Sequence, residues 1–158
     1  MKNSVKRKSA WPSPDKTECL KLYEQMVLLR QFELAAQKNY KAGRMPGFIH
    51  LYIGEEAVGV GVCANLRKED CITSTHRGHG HALAKGLPPK SLMAELYGRA
   101  AGCCGGRGGS MHLFDRAIGL FGTNGIVGGG LPAAVGAAIS AKVHGQGNVA
   151  VAFFGDGA

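Results

Sequence analysis

The chain has 158 residues, 45% of them hydrophobic, enough for one domain with a core of its own. Its formal charge of +8 splits into +4 on the first ten residues, nothing net on residues 11–70 and +4 on residues 71–158; that is no basic stripe interleaved with aromatics, which argues against nucleic-acid binding and for a local anion site after residue 71. No apolar run reaches membrane-span length, and five cysteines without a Cys-x-x-Cys argue against zinc or a disulfide framework and for reduced thiols in a cytoplasmic protein.

Residues 1–12 read as a short disordered basic tail, with neither the apolar core of a secretory signal nor a clear amphipathic pattern. Ser13-Pro14-Asp15 then predicts a helix start, with a capping hydroxyl, proline in the first turn and an acid near the positive end. Leu22, Met26, Leu29, Ala36 and Tyr40 recur at helical spacing, and Gly43 closes the element. An extended connection over 44–54 leads into a small-residue helix, Ala57 to Leu66, whose Gly59 and Gly61 suggest close approach by a neighbour. Asp70 to Ser74 predicts a short strand, and Thr75-His76-Arg77-Gly78-His79-Gly80-His81 a polar turn. Lys90 to Gly98 predicts a further helix behind Pro88-Pro89.

From Gly98 to Gly130 there are twelve glycines in 33 residues, which predicts an ordered loop whose backbone lies against something. Leu131 to Val143 predicts an alanine-rich helix with Pro132 in its first turn and Gly145 at its end. Val149 to Phe154 reads as a strand covered on both faces, and helix plus strand make half of a βαβ-type unit. The chain stops just after that strand, without a helix to cover it, so it is expected to be a fragment of a longer protein.

Three segments converge on an anionic ligand. Arg77 after a strand suits phosphate oxygens, with His76 adding a donor; the competing reading makes His76, His79 and His81 turn or capping residues. Gly122-Thr123-Asn124-Gly125-Ile126-Val127-Gly128-Gly129-Gly130 exposes amides at a helix start, yet it matches neither a dinucleotide fingerprint nor a P-loop. Gly155-Asp156-Gly157 projects a hard carboxylate from a strand's carboxyl end, where a magnesium ion carrying a diphosphate would sit, or else it is a common turn. Cys103-Cys104 with His112 suggests a nucleophile only weakly, for lack of a third orienting group, and a structural loop is the better reading.

The order of these segments carries more than any one of them. Gly47-Phe48-Ile49-His50-Leu51-Tyr52-Ile53-Gly54-Glu55-Glu56-Ala57 is followed by Thr75-His76-Arg77-Gly78-His79-Gly80-His81 and Gly98-Arg99-Ala100-Ala101-Gly102-Cys103. Then come Gly108-Gly109-Ser110-Met111-His112, Asn124-Gly125-Ile126-Val127-Gly128 and Phe154-Gly155-Asp156-Gly157-Ala158. The series resembles the alpha subunit of thiamine-diphosphate-dependent 2-oxo acid dehydrogenases, the first component of the pyruvate, branched-chain and acetoin dehydrogenase complexes, over residues 17 to 158.

The resemblance implies an α/β fold of three layers with a mainly parallel sheet, residues 13–158 forming the N-terminal part of the diphosphate-binding domain. It implies thiamine diphosphate and magnesium as cofactors, with Asp156 as metal ligand and the Gly157 and Ala158 amides near the diphosphate. Arg77 would contact the diphosphate, beside His76, where many pyruvate enzymes carry tyrosine. Main-chain atoms of Gly125 and Val127 would face the aminopyrimidine, while Phe48 and His50 line the approach to the reacting carbon, His50 in a catalytic role. An asparagine pair and a histidine loop of the family's pattern lie beyond Ala158, so the chain alone is expected to be inactive.

A beta subunit is the implied partner, in a heterotetramer of two alpha and two beta chains, together with a lipoyl-bearing acyltransferase that takes the two-carbon unit from pyruvate or acetoin. Neither nucleic acid nor membrane is implied. Gly105 and Arg107 stand where the family usually has lysines, and His76 with Cys103-Cys104 leans toward the acetoin branch. The alternatives are another thiamine-diphosphate enzyme of transketolase type, or a non-catalytic binding module.

Overall fold

A computed structural model describes residues 15–145 and 147–158. The basic tail expected over residues 1–12, and the Ser13 and Pro14 of the expected cap, lie outside these residues. Helix α1 spans Lys16–Lys41, and its N-cap is Asp15, whose carboxylate accepts the Thr17 amide at 3.0 Å. It ends as expected at Gly43, at φ +69°, where the Gly43 and Arg44 amides reach back to the Tyr40 and Asn39 carbonyls in a Schellman pattern.

Helix α2 is Glu56–Cys63, strand β1 Cys71–Ser74, helix α3 His79–Ala84 and helix α4 Pro89–Leu96. A 3-10 turn, Arg116–Ile118, precedes strand β2, Leu120–Thr123; helix α5, Gly130–Val143, and strand β3, Ala150–Ala152, complete the order. Helix α2 stops three residues short of the expected Leu66. Gly59 does meet a neighbour, since a Cβ there would lie 2.7 Å from Tyr52 Oη, but Gly61 faces open space.

The sheet is parallel throughout, in the order β2-β1-β3. Strand β1 is central and buried along its whole length, its Thr73 and Ser74 hydroxyls hydrogen-bonded to the Gly130 carbonyl and the His81 ring. Between Ile72↔Leu120 and Ser74↔Thr123, β2 carries one residue more than β1, and Gly122 at φ +116° absorbs that bulge. Helix α5 packs against all three strands. This is the α/β class with a parallel sheet that the sequence predicts.

Two parts of the sequence reading need correction. His79 to His81 are not a polar turn: they open α3 and are buried. Tyr52 makes this possible by lying flat against Gly80, where a Cβ would fall 1.9 Å from the ring. Strand β3 is half-buried instead of covered on both faces, because it holds a sheet edge with β1 as its one paired neighbour among the described residues. Asp70 ties that edge down: its carboxylate accepts the Val149 amide at 2.9 Å and the Arg67 amide at 2.7 Å. The Val149 amide is the chief reason the Asp70 carboxyl is held down to about 2, with the Arg67 contacts adding to it.

The core is continuous from α1 to the sheet, with Leu29, Phe32 and Ala36 of α1, Tyr52, Ile72, Leu92, Leu113 and Leu120 all buried. Arg30 joins α1 to α2 through a forked pair to Glu56, at 2.6 and 3.0 Å. That pairing, more than the Gly54 amide that also reaches it, holds the Glu56 carboxyl down to about 2.

Candidate functional site

Because the three strands run parallel, their carboxyl ends share one edge of the sheet. Each of the three segments singled out by sequence leaves from that edge: Asn124 to Gly128 after β2, Thr75 to Arg77 after β1, and Gly155 to Ala158 after β3. In open α/β sheets this is where ligands are received.

A cleft of about 290 Å³ lies there, walled by Glu55, Val58, His76, Arg77, Phe154 and Asp156. His81 and Phe153 form its floor, their rings stacked at 3.7 Å and 20°. His81 is fixed by Tyr52 Oη at 2.9 Å and Ser74 Oγ at 2.7 Å, and burial pushes its pKa down to about 3, so the floor is a neutral ring. Arg77 spends one N–H on the Leu51 carbonyl, at 2.6 Å, which aims the guanidinium and leaves further donors for a ligand. The Asp156 carboxylate has no hydrogen-bond or ion-pair partner among the described residues.

Asp156 stands in a turn closed by the Ala158 amide on the Gly155 carbonyl, at 3.1 Å. The turn reading and the strand-end carboxylate are therefore the same object. The glycine loop after β2 comes up beside it: a Cβ on Gly128 would lie 3.8 Å from Ala158 Cβ. The donor set suits a hard cation carrying phosphates, with one unpaired carboxylate, a guanidinium, an imidazole and glycine amides around one opening.

Other expected residues sit further out. His50 does not wall the cleft but meets His76 edge-on, with ring centroids 5.2 Å apart at 87°. Its Nδ1 is buried without a partner, and burial, helped by His76, Arg77 and His79, lowers its pKa. Phe48 is 77% exposed and Val127 67%; neither they nor Gly125 line the cleft, and Gly157 and Ala158, also exposed, follow its last lining residue, Asp156.

The glycine-rich segment from Gly98 to Ser110 closes on something different. Glu95, fully buried on α4, accepts four amides there: Cys104 and Gly106 on Oε2 at 2.8 and 2.9 Å, Gly108 and Gly109 on Oε1 at 2.7 and 3.2 Å. Burial opposes its ionisation, but the four amides outweigh that and hold the carboxyl below its usual range. Cys103 and Cys104 lie close enough to Glu95 to suggest a metal cluster, yet both carboxylate oxygens are already engaged and burial pushes the Cys103 thiol up to about 12. Cys104 Sγ meets the His112 and Phe114 backbone, contacts that hold the segment as a folded loop.

Sequence reasoning missed Glu95, and it also missed a buried Glu33–His79–Ser110 chain behind His50. A usable signal existed for both acids. Glu95 follows Leu92 by three on α4, and Glu33 lies between Leu29 and Ala36 in the apolar stripe of α1; a charge on a core face requires a partner.

Comparison with known proteins decides what this arrangement belongs to. The family model described as dehydrogenase E1 component matches residues 24–158. The chain belongs to that family. It is 53% identical to the alpha subunit of the acetoin:2,6-dichlorophenolindophenol oxidoreductase of Bacillus subtilis, over 89% of this chain and 42% of the relative. The corresponding subunit of Cupriavidus necator is 49% identical over 91% of this chain and 43% of its own length. The pyruvate dehydrogenase E1 component subunit alpha of Zymomonas mobilis is 46% identical over 90% and 41%. The chain thus spans about two fifths of the length of these E1 relatives. Among the described residues no helix is long and apolar enough to cross a membrane.

Proposed function

We propose that this chain is the N-terminal part of the alpha subunit of a thiamine-diphosphate-dependent dehydrogenase, and that the sheet-edge cleft receives the cofactor's diphosphate with magnesium. The observation that carries the reading is the convergence of Arg77, His76 and Asp156 on one cleft at the carboxyl edge of a parallel sheet. Asp156 would ligate the metal, Arg77 would pair with phosphate oxygens, and the Gly157 amide would lie near the diphosphate, the Ala158 amide being already on the Gly155 carbonyl.

Thiamine diphosphate, when bound, supplies the carbon nucleophile that cleaves a bond beside a carbonyl. The chain's own part is to neutralise the diphosphate, to keep water from the apolar floor of Phe153 and His81, and to present His50 and Phe48 toward the approach. Burial lowers the pKa of His50 and so favours its neutral imidazole, which can accept or pass a proton at a nitrogen.

A beta subunit would complete the cofactor site in a heterotetramer, and a lipoyl-bearing acyltransferase would take the two-carbon unit from acetoin or pyruvate. His76 and the two acetoin-oxidising relatives favour acetoin. Five free thiols favour a cytoplasmic setting. The test is calorimetric titration of the full-length protein, with its beta subunit, by thiamine diphosphate with and without magnesium. Tight binding that needs magnesium is expected; no binding in either arm sinks the reading, as does strong binding indifferent to the metal.

A further inference from the structure

Behind the cleft, four residues from four different parts of the chain form one directed line. The Glu33 carboxylate of α1 meets His79 Nδ1 of α3 at 2.9 Å, and His79 Nε2 meets Ser110 Oγ at the end of the glycine-rich loop at 2.9 Å. The His50 backbone N–H donates to the same Ser110 oxygen at 3.0 Å. Glu33 and His79 are fully buried and Ser110 is 7% exposed. Both ring nitrogens of His79 are engaged, one by the Glu33 carboxylate and one by the Ser110 hydroxyl, so the ring cannot turn without breaking both contacts. The Ser110 oxygen then has lone pairs directed at the His50 amide.

Packing alone does not call for this line. Burying a carboxylate, an imidazole and a hydroxyl together costs more than an apolar filling of the same volume. The line ends on the main chain of the one histidine whose imidazole carries a buried, unpartnered Nδ1 and leans on His76 of the cleft wall. We propose that Glu33, His79 and Ser110 are positioning residues that hold the His50 backbone so that its imidazole stands at a fixed angle to His76 and the cleft. This rests on the thiamine-diphosphate reading for its chemistry, but not for its geometry.

The experiment is a double-mutant cycle in the full-length alpha subunit assembled with its beta subunit, using Ser110→Ala, His50→Ala and the pair. Turnover with acetoin or pyruvate, thiamine diphosphate affinity with magnesium, and hydrogen exchange at the His50 amide are read on each. Ser110→Ala is expected to lower kcat roughly tenfold or more, as a small misplacement of a reacting group does, with cofactor affinity unchanged and faster exchange at His50. In the His50→Ala background the same substitution should cost less than about twofold, since residues acting through one another are not additive.

Additive losses, or a parallel loss of cofactor affinity, would mean a merely structural role and overturn the proposal. So would an unchanged exchange rate at His50, and that reading needs no activity at all. If the wild-type assembly neither binds thiamine diphosphate nor turns over, the functional reading fails while the exchange arm still decides the positioning. Should Ser110→Ala not fold, His79→Gln in the same cycle reads the coupling one bond further out.

Discussion

Two glycine-rich regions of this chain look alike in sequence and do opposite things. Between Gly98 and Ser110 the backbone amides turn inward onto one buried carboxylate, Glu95, which takes four of them. Around Gly125 to Gly128 and Gly155 to Ala158 the backbone is exposed, and the nearby carboxylate, Asp156, has no partner among the described residues. One region holds its own anion and is closed; the other leaves its carboxylate to be met from outside. Glycine density alone therefore says only that amides are available. Whether an acid of the same chain lies within reach decides between a structural loop and a binding site.

The largest expected effect tests the closed side. Glu95→Gln keeps the shape but replaces one acceptor oxygen with an amide group that faces two N–H donors. With a buried charged acceptor lost and donors left unsatisfied, the full-length protein should lose about 3 kcal/mol of stability, read as a lower midpoint in denaturant. A loss below about 1 kcal/mol would show that the loop is not held by its acid.

The open side is tested next. Asp156→Asn should weaken magnesium-supported thiamine diphosphate binding by roughly a hundredfold while leaving the melting temperature nearly unchanged, because a metal-carboxylate contact is the strongest local charge interaction available there. Arg77→Ala should weaken cofactor binding by roughly tenfold with the magnesium dependence intact, since it removes a phosphate partner and not a metal ligand. Calorimetry across a magnesium series separates the two. Unaltered magnesium dependence in Asp156→Asn would reduce the Gly155 to Ala158 segment to a turn.

A last effect, read in stability and not in binding, concerns the floor of the open cleft. Burial holds His81 at a pKa of about 3, against an ordinary 6.5. The unfolded chain therefore binds the extra proton first, so stability is full above about pH 6.5 and falls as pH drops toward 3. Between pH 7 and pH 5 the loss from this one group should be about 2 kcal/mol, a window that lies above the ranges of Glu56 and Asp70. Thermal melts of the wild type and His81→Gln check it: the variant should show a flatter slope over that window, and equal slopes would place His81 in solvent.

These contrasts also mark what the sequence discloses. Helix α1, strand β1 and helix α5 are legible because their cues are local: an acid at the first turn, a glycine at the end, an apolar run between polar flanks. Helix α3 is not, since His79-Gly80-His81 becomes helical by burying its rings against Tyr52, Ser74 and Glu33, contacts made 7 to 46 residues away. Strand β2 hides inside the glycine-rich stretch because it is four residues long and bulged at Gly122. At the sheet edge, His76, Arg77 and Asp156 line one cleft, and Phe48, Gly125 and Val127 do not. Motif order reports which strand ends share an edge; it does not report which side chains point into the space between them.

Asp70 gives the molecule an order of assembly. Its carboxylate receives the Arg67 amide from the adjoining turn and the Val149 amide from 79 residues further along. A ribosome delivers the first of these contacts almost at once, and the second only after helices α2 to α5 and strands β1 and β2 have emerged. One wall of the cleft, from Glu55 to His81, can therefore stand beside a finished Glu95 loop before the opposite wall, Phe153 to Asp156, has been made. The cleft is closed only when β3 meets a carboxylate already waiting just before β1.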